Sequence, residues 1–183
     1  MILFVNACPR TESRTKRLAL ALLETLGEYR EIDLTKEKLL PVDEERLARR
    51  TGYIEAQNYS DDMFLYAKDF ATADGIVIAA PFWDLSFPAE LKVYLENIYV
   101  TGIVSEYDEH GCPRGLCRAK KLWYVTTAGG PFDPRFGYDY LSTLAKVCFG
   151  IKETELIKAE GLDIVGNDPE AILHDAIRTL PRE

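Results

Sequence analysis

Cys8 and Arg14 have a C-x5-R spacing within "CPRTESRT", directly after an apolar run, and two chemistries fit that stretch. In one, Cys8 is a thiolate nucleophile and Arg14 binds a phosphate ester. In the other, Arg10, Ser13 and Thr15 supply a guanidinium and two hydroxyls which, with the first amides of a following helix, surround a cofactor's phosphate. Two residues weigh against the nucleophile. Pro9 removes one N–H from a loop that would have to wrap a phosphate, and Glu12 sets a negative charge against a dianion.

Two later stretches carry further candidates. "PFWDLSFP" places Phe82, Trp83, Leu85 and Phe87 between an apolar run and a proline-started segment, a cluster that suits packing against a flat apolar ring. Core packing or a subunit contact is the plain alternative for each of them. "TTAGG" ends another apolar run with Thr127, Gly129 and Gly130, where bare backbone could approach a planar ligand or simply turn. The H-x-C-x4-C spacing of His110, Cys112 and Cys117 matches no standard zinc pattern, and no metal site is expected.

Elements that could position these residues alternate along the chain. "ILFVN" reads as the first strand and Arg14–Leu26 as an amphipathic helix with Ser13 as its N-cap. "YREIDL" is a second, partly exposed strand; Asp43–Asn58 is a helix followed by loop, and Asp61–Thr72 a helix. "GIVIAA" is apolar throughout, as a central parallel strand should be. A helix over Pro88–Val100, a Gly-rich loop region over Gly102–Arg118, the strand "KLWYVTT" and a helix over Tyr138–Phe149 follow. "ETELIKAEGL" is the fifth strand and Asp168–Leu180 the closing helix. Five strands alternating with helices fit an α/β, flavodoxin-like three-layer sandwich, with a five-stranded parallel sheet of order 2-1-3-4-5 and a ligand site between strands one and three.

With 183 residues, 47% of them hydrophobic, a single domain over 1–183 is expected. A net charge of −8 disfavours nucleic acid and anionic membrane surfaces as partners. Four dispersed cysteines and apolar runs too short for a signal core or a membrane span point to a cytoplasmic protein.

The stretch from "TADGIVIAAPFWDLSFPAELKVYLENIYVTG" through "KKLWYVTTAGG" to "KAEGL", with the first loop, resembles the FMN-dependent NAD(P)H quinone reductases and azoreductases of the flavodoxin-like superfamily. The resemblance implies bound FMN, NADH or NADPH as co-substrate, a quinone or similar aromatic acceptor, and a homodimer. It places the FMN phosphate at Arg10, Ser13, Arg14 and Thr15, one border of the ring at Pro81, Phe82, Trp83, Asp84 and Leu85, and the other edge at Thr127, Ala128, Gly129 and Gly130. Asp84 stands where such proteins commonly carry Asn, and Ala128 where they carry a larger polar residue. A carboxylate at that place would disfavour an anionic reduced ring. Segments 53–66 and 102–118 are expected to cover a substrate cleft or form the dimer contact. Low-molecular-weight tyrosine phosphatases share the Cys8–Arg14 spacing in a similar sheet, a resemblance by which the Asp133-Pro134 pair of "FDPRFGY" would imitate their general acid, and a flavodoxin-type electron carrier is the third reading.

Overall fold

The computed structural model describes residues 1–181; Arg182 and Glu183, the last two of the expected unit, lie outside the described residues. Strands β1 (Ile2–Asn6), β2 (Tyr29–Asp33), β3 (Gly75–Ala79), β6 (Lys121–Thr127) and β7 (Glu153–Ala159) form one sheet of order β2-β1-β3-β6-β7. Every pairing in it is parallel. Counting only these five, the order is the expected 2-1-3-4-5.

Successive side chains along each strand enter different cores, as the two-residue period of a strand requires. Leu3, Val5, Ile76, Ile78, Leu122 and Tyr124 pack with helices α3 (Leu65–Thr72), α4 (Ala89–Ile98) and α5 (Tyr138–Thr143). Phe4, Val77, Trp123 and Val125 pack with α1 (Arg14–Leu26) and α6 (Pro169–Arg178). Helix α2 (Glu44–Glu55), capped by Asp43, has no fully buried residue and rests Tyr53 and Ile54 on the first core. Burial on both faces explains why "GIVIAA" carries no polar residue.

Several boundaries differ from the sequence reading. The expected helix over 61–72 opens as a 3₁₀ turn, Asp62–Phe64, before α3, and the expected helix over 138–149 ends in a π-helical turn, Leu144–Phe149. The fifth strand stops at Ala159, because Gly161 at φ +76° turns the chain back. The Gly-rich region holds a short antiparallel hairpin, β4 (Ser105–Tyr107) with β5 (Pro113–Gly115).

That hairpin corrects one of the two roles expected of its segment, the cleft cover. Arg118 N donates to Ala71 O at the foot of α3, its guanidinium pairs with Asp74 just before β3, and Leu116 N donates to Val104 O. Segment 102–118 is therefore anchored at the amino ends of the strands, far from their carboxyl ends, and does not cover a cleft there. Gly115 lies so close to the π-helical turn that a Cβ on it would collide with the peptide joining Phe149 and Gly150. Tyr53 and Tyr59 likewise set their edges on buried Phe64, and the Tyr59 hydroxyl donates to Thr101 O beside the hairpin. These tyrosines bury area in the core.

Candidate cofactor cleft

Asn6 ends β1 and builds the first wall. Its side-chain Oδ1 accepts from Cys8 N at 3.0 Å, and its Nδ2 donates to Glu31 Oε1 at 2.9 Å. The chain thus leaves the sheet in a fixed turn that delivers Ser13 to the start of α1. Ser13 accepts from Lys16 N at 3.2 Å. The N–H groups of Arg14 and Thr15, at the helix's first two positions, have no intrahelical acceptor and carry the positive end of the dipole. Thr15, 1% exposed, meets Thr127 hydroxyl to hydroxyl at 2.6 Å, tying the helix start to the end of β6.

The second wall follows β3. Phe82 N donates to Thr127 O, and Phe82 sets its ring edge-on to Phe132 at 4.8 Å. Trp83 and Ser86 exchange both backbone hydrogen bonds, at 2.9 and 2.7 Å, around Asp84 (φ +48°) and Leu85 (φ +63°). This is a two-residue hairpin turn with both central residues left-handed, a conformation usually given to Asn-Gly. Asp tolerates it; Leu does so at a cost of about 1–2 kcal/mol. The N–H groups of Asp84 and Leu85 have no acceptor among the described residues. Unsaturated donors on a strained turn at a ligand-facing edge are a mark of function.

The third wall is the β6 loop, laced to the segment after β7. Ala128 O, Gly129 O and Gly130 O accept from Leu162 N, Asp163 N and Gly161 N, which leaves the Gly129 and Gly130 N–H groups without an acceptor among the described residues. A Cβ on Gly129 would collide with the Asp163 carboxylate. Its bareness therefore serves the approach of Asp163, whereas the sequence reading offered the approach of a ligand or plain turn chemistry.

Together the walls enclose a cleft of about 360 Å³, within the roughly 300–1,000 Å³ usual for small-molecule sites. Arg10, Ser13, Arg14, Thr15, Pro81, Phe82, Trp83, Thr127, Ala128 and Gly129 line it as expected. Asp84, Leu85 and Gly130 lie outside its lining, with Asp84 and Leu85 exposed at the tip of the second turn. Of the aromatic cluster, Phe87 packs against Tyr140 at 6.0 Å and belongs to the core side, while Trp83 is 40% exposed. The sequence reading missed Pro9, Glu12, Leu162 and Asp163, which also line the cleft. Gly161 within the supposed strand was the available signal for the last two.

The nucleophile reading fails on Cys8. The thiol is 4% exposed, directs Sγ toward Ala79 O at 3.7 Å beneath the loop, and belongs to the core under α1. Burial pushes its pKa up to about 11, with the Ser13 hydroxyl pulling the other way by less. A nucleophilic cysteine needs the opposite shift and a path to solvent. Asp133 fails as the acid, since hydrogen bonds from Arg135 hold its carboxyl below the usual range and it serves as the cap of a 3₁₀ turn over Pro134–Phe136.

Comparison with known proteins agrees with this geometry. The flavodoxin-like fold family matches residues 1–182. This chain belongs to that family. Among its relatives, FMN-dependent NADH:quinone oxidoreductase 2 of Clostridium acetobutylicum is 39% identical over 187 residues, covering 94% of this chain and 90% of that protein. The FMN-dependent NADH:quinone oxidoreductase of Coprothermobacter proteolyticus is 35% identical over 194 residues, covering 97% and 94%. The crystal structure of an azoreductase from Bacillus anthracis superposes with a TM-score of 0.82 at 24% identity, over 97% of this chain and 94% of that one, a likeness of fold.

Two outcomes follow. A thiol reagent at pH 8 should label exposed Cys112 first and leave Cys8 unmodified until the protein unfolds; peptide mapping that finds Cys8 modified first would restore the nucleophile. Leu85→Gly should raise stability in urea by about 0.5–1 kcal/mol, since released strain of about 1–2 kcal/mol exceeds glycine's extra unfolded-state entropy. A loss of stability would mean that the turn is unstrained.

Proposed function

We propose that the chain is an FMN-dependent NAD(P)H oxidoreductase that passes electrons to a quinone or similar aromatic acceptor. The single observation that carries this beyond the relatives' names is the pairing, in one cleft, of a helix-start anion cradle with Phe82, Trp83 and Gly129, the N–H groups of Asp84, Leu85 and Gly130, without acceptors among the described residues, standing at its rim. The donor set fits FMN: the Arg14 and Thr15 amides, the Ser13 hydroxyl and the guanidinium groups of Arg10 and Arg14 suit its phosphate, and the edge between Phe82 and the third loop suits a flat ring. Nothing specific to this structure favours a carrier without turnover.

When bound, FMN supplies the capacity to accept a hydride from NADH or NADPH and give the electrons up again. The protein's share is to hold and tune it. The cradle binds the anionic tail, and the Thr15–Thr127 bond keeps cradle and ring wall in register. The N–H groups of Asp84, Leu85, Gly129 and Gly130 offer fixed dipoles to developing negative charge. The Asp84 carboxylate on the same turn opposes that charge. Trp83 and Phe82 shape the acceptor's place by stacking and exclude water.

The same reading takes the whole chain as one cofactor-binding domain acting as a cytoplasmic homodimer. All four cysteines are free, which suits a reducing compartment. Phe136, Tyr140 and Val147 are exposed along the α5 segment, which suits a subunit contact there. No helix among the described residues is long and apolar enough to cross a membrane.

Steady-state rates with NADH and a soluble benzoquinone test the function. The expected result is FMN-dependent NADH oxidation whose double-reciprocal lines run parallel, because one substrate leaves before the other enters a shared cleft. Intersecting lines would contradict the shared cleft, and no turnover with FMN bound would contradict the enzyme.

A further inference from the structure

Resting on that reading of the cleft, one residue in it has no role in holding a cofactor and an obvious capacity to oppose one. Asp163, on the segment after β7, reaches across the mouth to Arg14, with Oδ1 3.2 Å from the guanidinium Nη1. The two residues stand 149 positions apart in the chain, and both line the cleft.

The carboxylate is seated there by construction. Asp163 N donates to Gly129 O at 2.9 Å and Leu162 N to Ala128 O at 3.2 Å, and Gly129 has no Cβ where the carboxylate lies. Its partner is the one arginine at the helix start that could change hands. Arg17, one turn later, is gripped by Glu170 through two hydrogen bonds at 3.0 and 2.8 Å. Arg14 has a single, longer contact, with side chains 38% and 73% exposed. An ion pair of that kind is worth little and is readily given up. A phosphate dianion offers a guanidinium two charge-assisted hydrogen bonds in place of one, and the α1 amides lie beside it.

We propose that Asp163 is a competitor for the cofactor's phosphate: it holds Arg14 while the cradle is free, surrenders it to the incoming dianion, and then faces that dianion as an uncompensated like charge. Asp163 thereby lowers affinity at the phosphate end alone and sets how readily the cofactor exchanges. It acts through Arg14 and the phosphate and touches no reacting atom, so it is a specificity-determining residue.

Fluorescence titration of the apoprotein with FMN and with riboflavin, which lacks the phosphate, tests this. Asp163→Asn keeps the shape and removes the charge. It should tighten FMN about threefold to fivefold at low salt, an effect that fades toward 0.5 M salt, roughly, as screening shortens. Riboflavin affinity should be unchanged, and in an Arg14→Ala background the same substitution should keep the part of its effect that comes from direct like-charge repulsion and lose the part that comes from competition for the guanidinium. Weaker FMN binding in Asp163→Asn, or equal shifts for FMN and riboflavin, would overturn the proposal by making Asp163 a loop support or a ring contact. Inorganic phosphate serves as a second probe, read by thermal shift. If the wild-type protein takes up no FMN, the oxidoreductase reading falls, while a larger phosphate-induced shift in Asp163→Asn than in wild type still supports the competitor and an equal or smaller shift overturns it.

Discussion

β1 lies between β2 and β3, hydrogen-bonded in parallel to both, and the rest of the cleft depends on that placement. The chain leaves β1 into α1 on one face of the sheet, and leaves β3 toward α4 on the other. The two loops must therefore part where the winding reverses, which leaves a gap between them. One side of it is the opening turn of α1, whose amides have no internal partner, and the other is the turn around Asp84 and Leu85. The Thr15–Thr127 hydroxyl pair fixes the distance between helix start and sheet edge, so that the donors are held in place before any ligand arrives.

The chemistry is divided by burial. Cys8 and Thr15, close in sequence, are both nearly inaccessible, but the thiol faces the core beneath the loop and the hydroxyl faces the third wall. A stretch with the spacing of a phosphate-ester hydrolase thus presents the open amides of a helix start without a usable nucleophile. The surrounding charge is mixed as well. Arg10 and Arg14 are set among Glu12 and Asp163, so the proposed phosphate site rests on fixed donors more than on net positive potential.

Much of this was legible in the sequence because burial on both faces leaves an unmistakable mark. "ILFVN", "KLWYVTT" and all but the last residue of "GIVIAA" are strands in the structure, and Ser13 caps α1 as its type and place required. What escaped has a physical reason in each case. "SEY" and "PRG" are three-residue strands, too short to show a period of two. The Asp84-Leu85 turn lacks the glycine that normally signals left-handed backbone, since the protein tolerates the strain instead. "KAEGL" continued an alternating pattern past the true end of β7, which hid Leu162 in a supposed strand and left Asp163 just beyond it. Segment 53–66 read as a cleft cover or a dimer contact because the spacing of its tyrosines cannot reveal Phe64 beneath Tyr53 and Tyr59.

At the centre of the account is the claim that the start of α1 grips the anionic end of a flavin whose ring lies between the other two walls. The ratio of the apoprotein's affinities for FMN and for riboflavin measures that grip directly. Two or more charge-assisted hydrogen bonds, each worth about 1.5–3 kcal/mol, require FMN to bind at least ~100-fold more tightly. A ratio near one would mean that the cradle does not hold the phosphate, and the proposed site would have to be abandoned.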